Sequence, residues 1–389
     1  MRGMRQLLVC VPGQTAIGTV DQDDAKDAAG QKKEIKETGE SLKMADENKK
    51  ITEKTEAVKD EKNTKADKAV TLRSVSATPH IRDHSSTHKI MTWVIVALMP
   101  ATLDGIRVFG PKALAIILIS IVSCIVFEGG FEKITKQKVT IGDRSAVLTG
   151  LLLALNLPVS VPLWMPVLGG FFAIVVVKML FGGLGKNFMN PALGARCFLM
   201  LSFSKLMTDF SYRPGGNGAD VVSGPTALAS LKNGEAYDLK QMFLGYEAGT
   251  IGETSALSLL LGGCFLIAIG VIGWEVTYTY ILSLLVFVAI FSGHGLDINY
   301  LSAHVYGGGL MLGAFFMATD YVTRPITKKG QILYGIFLGV LTGIFRLYGP
   351  GAEGVSYAII IGNLIVPLIE RVTLPKHFGY QKPAKAAKN

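Results

Sequence analysis

Thr226 closes the run DVVSGPT (220–226), inside a hydrophilic segment that spans residues 208–254. Ser, Gly and Pro are ordinary turn formers, so the run first reads as a turn. The same residues also suit a modification. An accessible hydroxyl on a pliable loop can enter another enzyme's site, attack the phosphate of a nucleotide and keep it as an ester. Asp220 and Ser223 would then serve recognition or metal-assisted transfer, with Gly224 between them and Thr226. A second candidate lies at 182–191, where Gly183 and Gly185 precede Asn187, Asn190 and Pro191. This is no Rossmann fingerprint, because an apolar stretch precedes it in place of a βαβ unit. Asn190 can cap a helix and Pro191 can begin it, turning amide N–H groups toward the membrane region. Half-helix ends of that kind hold anionic or polar groups in transporters. Close helix packing through glycine explains the stretch equally well.

Ionisable residues at Glu128, Asp143, Lys178, Glu253, Asp297 and Asp320 fall near the ends of apolar runs. Such groups are functional candidates because their burial is costly; the ordinary alternative is pairing or snorkelling at the interface. Asp143 and Glu253 stand beside Ser145 and Ser255, an arrangement that could line a cation path. His294 and His304 lack ligand-like spacing. Cys10, Cys124, Cys197 and Cys264 form no CxxC pair, so we expect buried thiols and no zinc or iron–sulfur site.

The elements that must position these residues are transmembrane helices. Hydrophobic residues make up 49% of the 389-residue chain and charged ones 18%, against about 25% charged in soluble domains. A soluble enzyme is thereby excluded. The net charge of +9 does not signal nucleic acid, because it is unevenly placed. Residues 1–89 hold 17 of the 39 Lys+Arg and 15 of the 30 Asp+Glu, so 17 − 15 leaves +2 there and +7 for the apolar remainder. Residues 1–85 read as a disordered charged tail, too poor in apolar side chains to offset ordering entropy. Met44 offers an alternative start.

Apolar stretches at 90–108, 113–131, 161–181, 255–273, 278–291, 304–318, 331–345 and 354–369 approach the length of a bilayer crossing. Two shorter ones, 146–157 and 192–207, bring the expected total to about ten, some of them broken. We divide the chain into a tail (1–85), a first transmembrane half (86–207), an extracytoplasmic loop (208–254), a second half (255–371) and a basic carboxy-terminal tail (372–389). With the amino terminus in the cytoplasm, one set of loops carries Lys133, Lys136, Arg144, Lys186, Arg324 and Lys328, and the carboxy-terminal tail adds more. The opposite face has Arg107, Lys112 and Arg346. The positive-inside rule therefore puts both termini in the cytoplasm and Thr226 outside. GDRSA (142–146) recurs as GETSA (252–256), and FGGLG (181–185) as FSGHG (291–295), both at an offset of 110. Copies separated by an odd number of crossings would be inverted repeats.

The run 220–226 resembles the Asp-x-x-Ser/Thr-Gly-Ala-Thr signature at which a flavin transferase attaches FMN to threonine by a phosphoester, here with Pro225 in place of the alanine. Other stretches are similar to one family with that signature, RnfD, a membrane component of the Rnf complex, the ion-translocating ferredoxin:NAD oxidoreductase. They are SATPHIRD (76–83), VTIGDRSAVLTGLLLALNLP (139–158), LFGGLGKNFMNPALGAR (180–196), IGETSALSLLLGG (251–263), FFMATDYVTRPITKKGQ (315–331) and EGVSYAIIIGNLIVPLIER (353–371). NqrB, a component of the sodium-pumping NADH:quinone reductase, is a more distant relation. The resemblance implies an all-α polytopic fold of two inverted, pseudo-symmetric halves, like that of urea transporters, in the bacterial or archaeal cytoplasmic membrane. It also implies covalent FMN at Thr226, a second, non-covalent flavin (riboflavin) in the membrane part, other Rnf subunits as partners, and coupling of electron transfer to Na+ or H+ movement. NAD and ferredoxin would meet other subunits. A non-redox solute channel on the same scaffold is the alternative.

Overall fold

The computed structural model describes residues 86–136, 139–211, 227–233, 239–245, 249–349 and 354–375. Contacts divide the chain into 1–82 and 83–389, and all that is described belongs to the second unit. The expected tail, the run 220–226 and most of the basic carboxy-terminal tail lie outside the described residues.

The described residues are helical throughout, apart from turns and one isolated antiparallel bridge. In chain order they are α1 (Thr87–Phe109), α2 (Pro111–Ile134), α3 (Ser145–Leu155), α4 (Trp164–Phe171, continued by a π-helix Phe172–Met179) and α5 (Pro191–Ser202). Short helices α6 (Ser204–Met207), α7 (Ala227–Asn233) and α8 (Leu239–Leu244) follow. The rest is α9 (Ala256–Ala268), α10 (Trp274–Phe291), α11 (Ile298–Tyr306), α12 (Leu310–Leu312, continued by a π-helix Gly313–Met317), α13 (Lys328–Tyr348) and α14 (Val355–Thr373).

Five of these, α1, α2, α10, α13 and α14, are long and apolar enough to cross a bilayer. Against about ten expected spans, the described residues contain five helices of that length, and the other apolar stretches are short or broken. The stretch expected at 146–157 is α3, which stops at Asn156. Its last carbonyls are taken by neighbours: Gly252 N–H donates to Leu155 O at 2.7 Å and Ile251 N–H to Leu157 O at 3.0 Å. A helix can end deep in the bundle only where such partners exist. The stretch at 304–318 breaks at Gly307–Gly309, where Gly308 and Gly309 adopt positive φ. The Arg346 guanidinium crosses that break and donates to Gly307 O at 2.9 Å, Gly308 O at 3.1 Å and His304 O. Arg346 is thus a buried cap and not a loop charge, which removes one exception to the positive-inside pattern.

Packing is close where side chains are small. On α13, Gly335, Gly339 and Gly343 form one ridge against α10. A Cβ at Gly339 would sit 2.7 Å from both Leu284 N and Tyr280 O. Gly150 brings α3 onto α2 in the same way, its missing Cβ 2.7 Å from Ile121 Cα. Apolar residues also face outward: Leu114, Leu118, Val122 and Val126 make an exposed stripe at four-residue spacing on α2. That suits a lipid-facing surface. Cys124 and Cys197 are buried as expected, but Cys264 is exposed. It shares the outer face of α9 with the exposed Leu261 and Phe265.

Candidate functional site

Thr226, Asp220, Ser223 and Gly224 lie outside the described residues, but the chain re-enters the structure at Ala227, the first residue of α7. Leu228 and Leu231 on α7 are buried with Met242 of α8 and Ala303 of α11. The segment after the candidate acceptor is therefore fastened to the membrane part by apolar contact.

The second candidate is fully described. Asn190 caps α5 as its sequence suggested: Oδ1 accepts from Ala192 N at 3.0 Å and Leu193 N at 3.4 Å, with Pro191 in the first turn. Asn187 Nδ2 donates to Met189 O at 2.9 Å. Gly183 and Gly185 have φ of 89° and 88°, and a Cβ at either would meet nothing within 4 Å. The turn requires glycine for its backbone angles, not for close approach of a ligand. Asn187 and Asn190 line a cavity of about 60 Å³ together with Ser145, Thr149, Lys178 and Asp320. These polar groups beside Leu148, Leu152 and Phe316 would suit the edge and rings of a flavin. The space does not: small-molecule pockets run to about 300–1,000 Å³, and this one has room for no more than a few water-sized molecules. The residues do not fit riboflavin in this shape.

Behind the cavity lies a buried ionic cluster. Lys178 is 2% exposed and donates to Glu128 Oε2 at 2.7 Å and to Ser145 Oγ at 2.6 Å; Glu128 is fully buried. Ser145 Oγ in turn donates to Asp143 Oδ1 at 2.6 Å. Lys178 sits in the π-helical part of α4, whose wider turn changes the direction of the side chains that follow it. So Glu128, Asp143 and Lys178, separate candidates in the sequence, form one network and do not snorkel. Glu253 belongs to another. Its Oε1 lies 4.0 Å from Arg196, whose guanidinium donates to the Asn156 Oδ1 at 2.7 Å. Asp143 and Glu253 thus have different partners, Ser145 for the first and Arg196 for the second.

The remaining candidates do local work. Asp297 caps α11 through Asn299 N at 3.0 Å, and Asp320 accepts from Thr323 Oγ1 at 3.2 Å. His304 is buried, its ring edge-on to Tyr300, which stacks on His294. The sequence did not single out Glu132, Asn156 or Arg196, and it offered Arg346 only as a loop charge. A signal existed for Glu132, which is one helical turn from Glu128 in an apolar run. No comparable signal marks the arginines, whose partners are backbone or distant in sequence.

Known proteins extend this picture. A family model described as "NQR2, RnfD, RnfE family" matches residues 74–379. The D component of the Na(+)-translocating ferredoxin:NAD(+) oxidoreductase complex of Acetobacterium woodii is 45% identical over 320 residues, covering 81% of this chain and 98% of the relative. Its counterpart in the proton-translocating complex of Clostridium ljungdahlii is 40% identical, covering 79% and 97%. The D component of the ion-translocating oxidoreductase complex of Stutzerimonas stutzeri is 36% identical, covering 78% and 96%. With five membrane-length helices among the described residues and near-complete coverage of these relatives in agreement, the chain belongs to the NQR2, RnfD, RnfE family.

Proposed function

We propose that this chain is the flavin-carrying membrane component of an Rnf-type ferredoxin:NAD oxidoreductase that translocates Na+ or H+. FMN is held by a phosphoester on Thr226, with Asp220, Ser223 and Gly224 shaping the loop for the flavin transferase. The observation that carries the reading is the run 220–226 in a chain otherwise collinear with its RnfD relatives. The anchoring of α7 supports it, since it ties the residue after Thr226 to the membrane bundle through Leu228. This flavin passes electrons within the complex, coupled to movement of Na+ or H+. The protein supplies position, polarity and exclusion of water, while the flavin supplies the redox chemistry.

The setting is a cytoplasmic membrane, with both termini inside, membrane lipid around the apolar faces and the other complex subunits as partners. The two halves are read as inverted repeats. Their echoes fall on like local structures: GDRSA and GETSA each precede a short apolar helix, and Gly183, Gly185, Gly293 and Gly295 all have positive φ.

The test is a denaturing gel of protein made in cells that express the flavin transferase. The band fluoresces under ultraviolet light, and the Thr226→Ala band is dark. A dark wild-type band would remove covalent flavin from the reading and leave the solute-channel alternative.

A further inference from the structure

Helix α7 (Ala227–Asn233) has seven residues, and a helix that short does not hold its shape in isolation. What orders it is the surface it rests on. Leu228 and Leu231 are 3% and 7% exposed and pack with Met242 and Ala303. Farther along the helix, Lys232 Nζ donates to Gly349 O, and Gly349 is the residue that caps α13.

Leu228 meets the bundle at the break between α11 and α12, and Arg346 reaches the same point from another side. A Cβ at Gly308 would lie 2.7 Å from Leu228 Cδ2 and 2.9 Å from Arg346 Nη2. Its φ of 65° is one that glycine adopts without strain. A Cβ at Gly307 would lie 2.9 Å from Met242 Cε and 3.7 Å from Leu228 Cβ. The Arg346 guanidinium donates to the carbonyls of His304, Gly307 and Gly308. Three carbonyls gripped by one planar fork cannot shift separately, and a lysine ammonium has no such fork. Arg346 thus fixes the surface that Leu228 fills, while Gly349 holds Lys232. Both holds on α7 come from the carboxy-terminal end of α13, a membrane-length helix packed on α10 by its glycine ridge. In the chain, two Cα steps of about 3.8 Å each separate Leu228 from Thr226.

We propose that Arg346 is a positioning residue for the flavin carrier: by shaping the seat of Leu228 at Gly307 and Gly308, it holds the segment that follows Thr226 at one place on the bundle. The consequence for a group esterified to Thr226 rests on the flavin reading, whereas the seat is built from described residues alone. Holding the acceptor segment in place is how the protein would set the cofactor's position.

Two measurements on the full chain in mixed micelles test this. The first is hydrogen–deuterium exchange of residues 227–233 in a Thr226→Ala background, which has no acceptor hydroxyl. Leu228→Ala and Arg346→Gln should each speed exchange tenfold or more, and Lys232→Met threefold or more. Leu228→Met should stay within twofold, because it keeps the volume. Exchange in α10 should be unchanged throughout. The second is the fluorescence anisotropy of the flavin that Thr226→Ala removes. It should fall by a third or more in Leu228→Ala and Arg346→Gln, with the gel band still bright, and be retained in Leu228→Met. Exchange like wild type in Leu228→Ala or Arg346→Gln overturns the seat. Faster exchange with unchanged anisotropy leaves α7 as packing only and overturns the positioning role. If Arg346→Gln does not fold, Arg346→Lys decides: fivefold faster exchange is expected, and an unchanged rate overturns the part given to Arg346. A dark wild-type band is a different failure, since it removes the flavin reading and the positioning role with it, whatever the exchange shows.

Discussion

At the scale of single residues, the membrane part is governed by the cost of burying charge. Glu128 and Lys178 form a pair sealed from solvent, and removing one partner leaves the other charged in an apolar setting. Breaking a buried pair costs about 3–5 kcal/mol. Lys178→Met is therefore expected to lower stability by roughly that much, measured by unfolding in mixed micelles. Lys178→Met combined with Glu128→Gln should recover much of the loss, because neither charge then remains buried. A double variant as unstable as Lys178→Met alone would mean that packing, and not charge, sets the cost. The presence of these residues was legible in the sequence as charges in apolar runs. Their pairing was not, since fifty positions separate them and only the fold brings α4 onto α2.

At the scale of elements, small residues decide how near two helices can come. Lipid is as apolar as the side chains, so association rests on close packing and polar contacts, not on expulsion of water. The Gly335, Gly339 and Gly343 ridge shows this, because a Cβ at Gly339 would meet Ser283 Oγ and, at 2.7 Å, two backbone atoms of α10 that cannot yield. Gly339→Ala should cost on the order of 1–3 kcal/mol, read in the same unfolding assay. Gly130→Ala, where a Cβ would meet nothing within 4 Å, should change stability far less. The four-residue glycine spacing was visible in the sequence, but not the helix it faces. Helix ends were partly legible. Asn190 and Pro191 announced a helix start that the structure contains, whereas the end of α3 depends on Ile251 and Gly252, nearly a hundred residues away.

At the scale of the whole molecule, we propose that the charges that made the chain look basic serve as orientation marks. The expected result of single-cysteine labelling in intact cells follows. Sites in the 208–254 segment should react with an impermeant reagent from outside. Sites beside Arg144, Lys186 and Lys328 should react only after the membrane is opened. Labelling of the first set from the cytoplasm would reverse the orientation and place Thr226 on the other side.

The sequence by itself determined that this chain is helical and membrane-embedded, which family it resembles, and which threonine suits a phosphoester. Composition, apolar run length and contiguous motifs are local properties, and they survive without knowledge of the fold. Only the tertiary structure decided which stretches are full-length helices, which break, and which charged groups are sealed inside. The physical reason is that a membrane protein is apolar on both its inner and outer faces. Periodicity, which separates core from surface in a soluble helix, therefore cannot say whether Leu118 faces lipid or whether Glu132 faces Thr140.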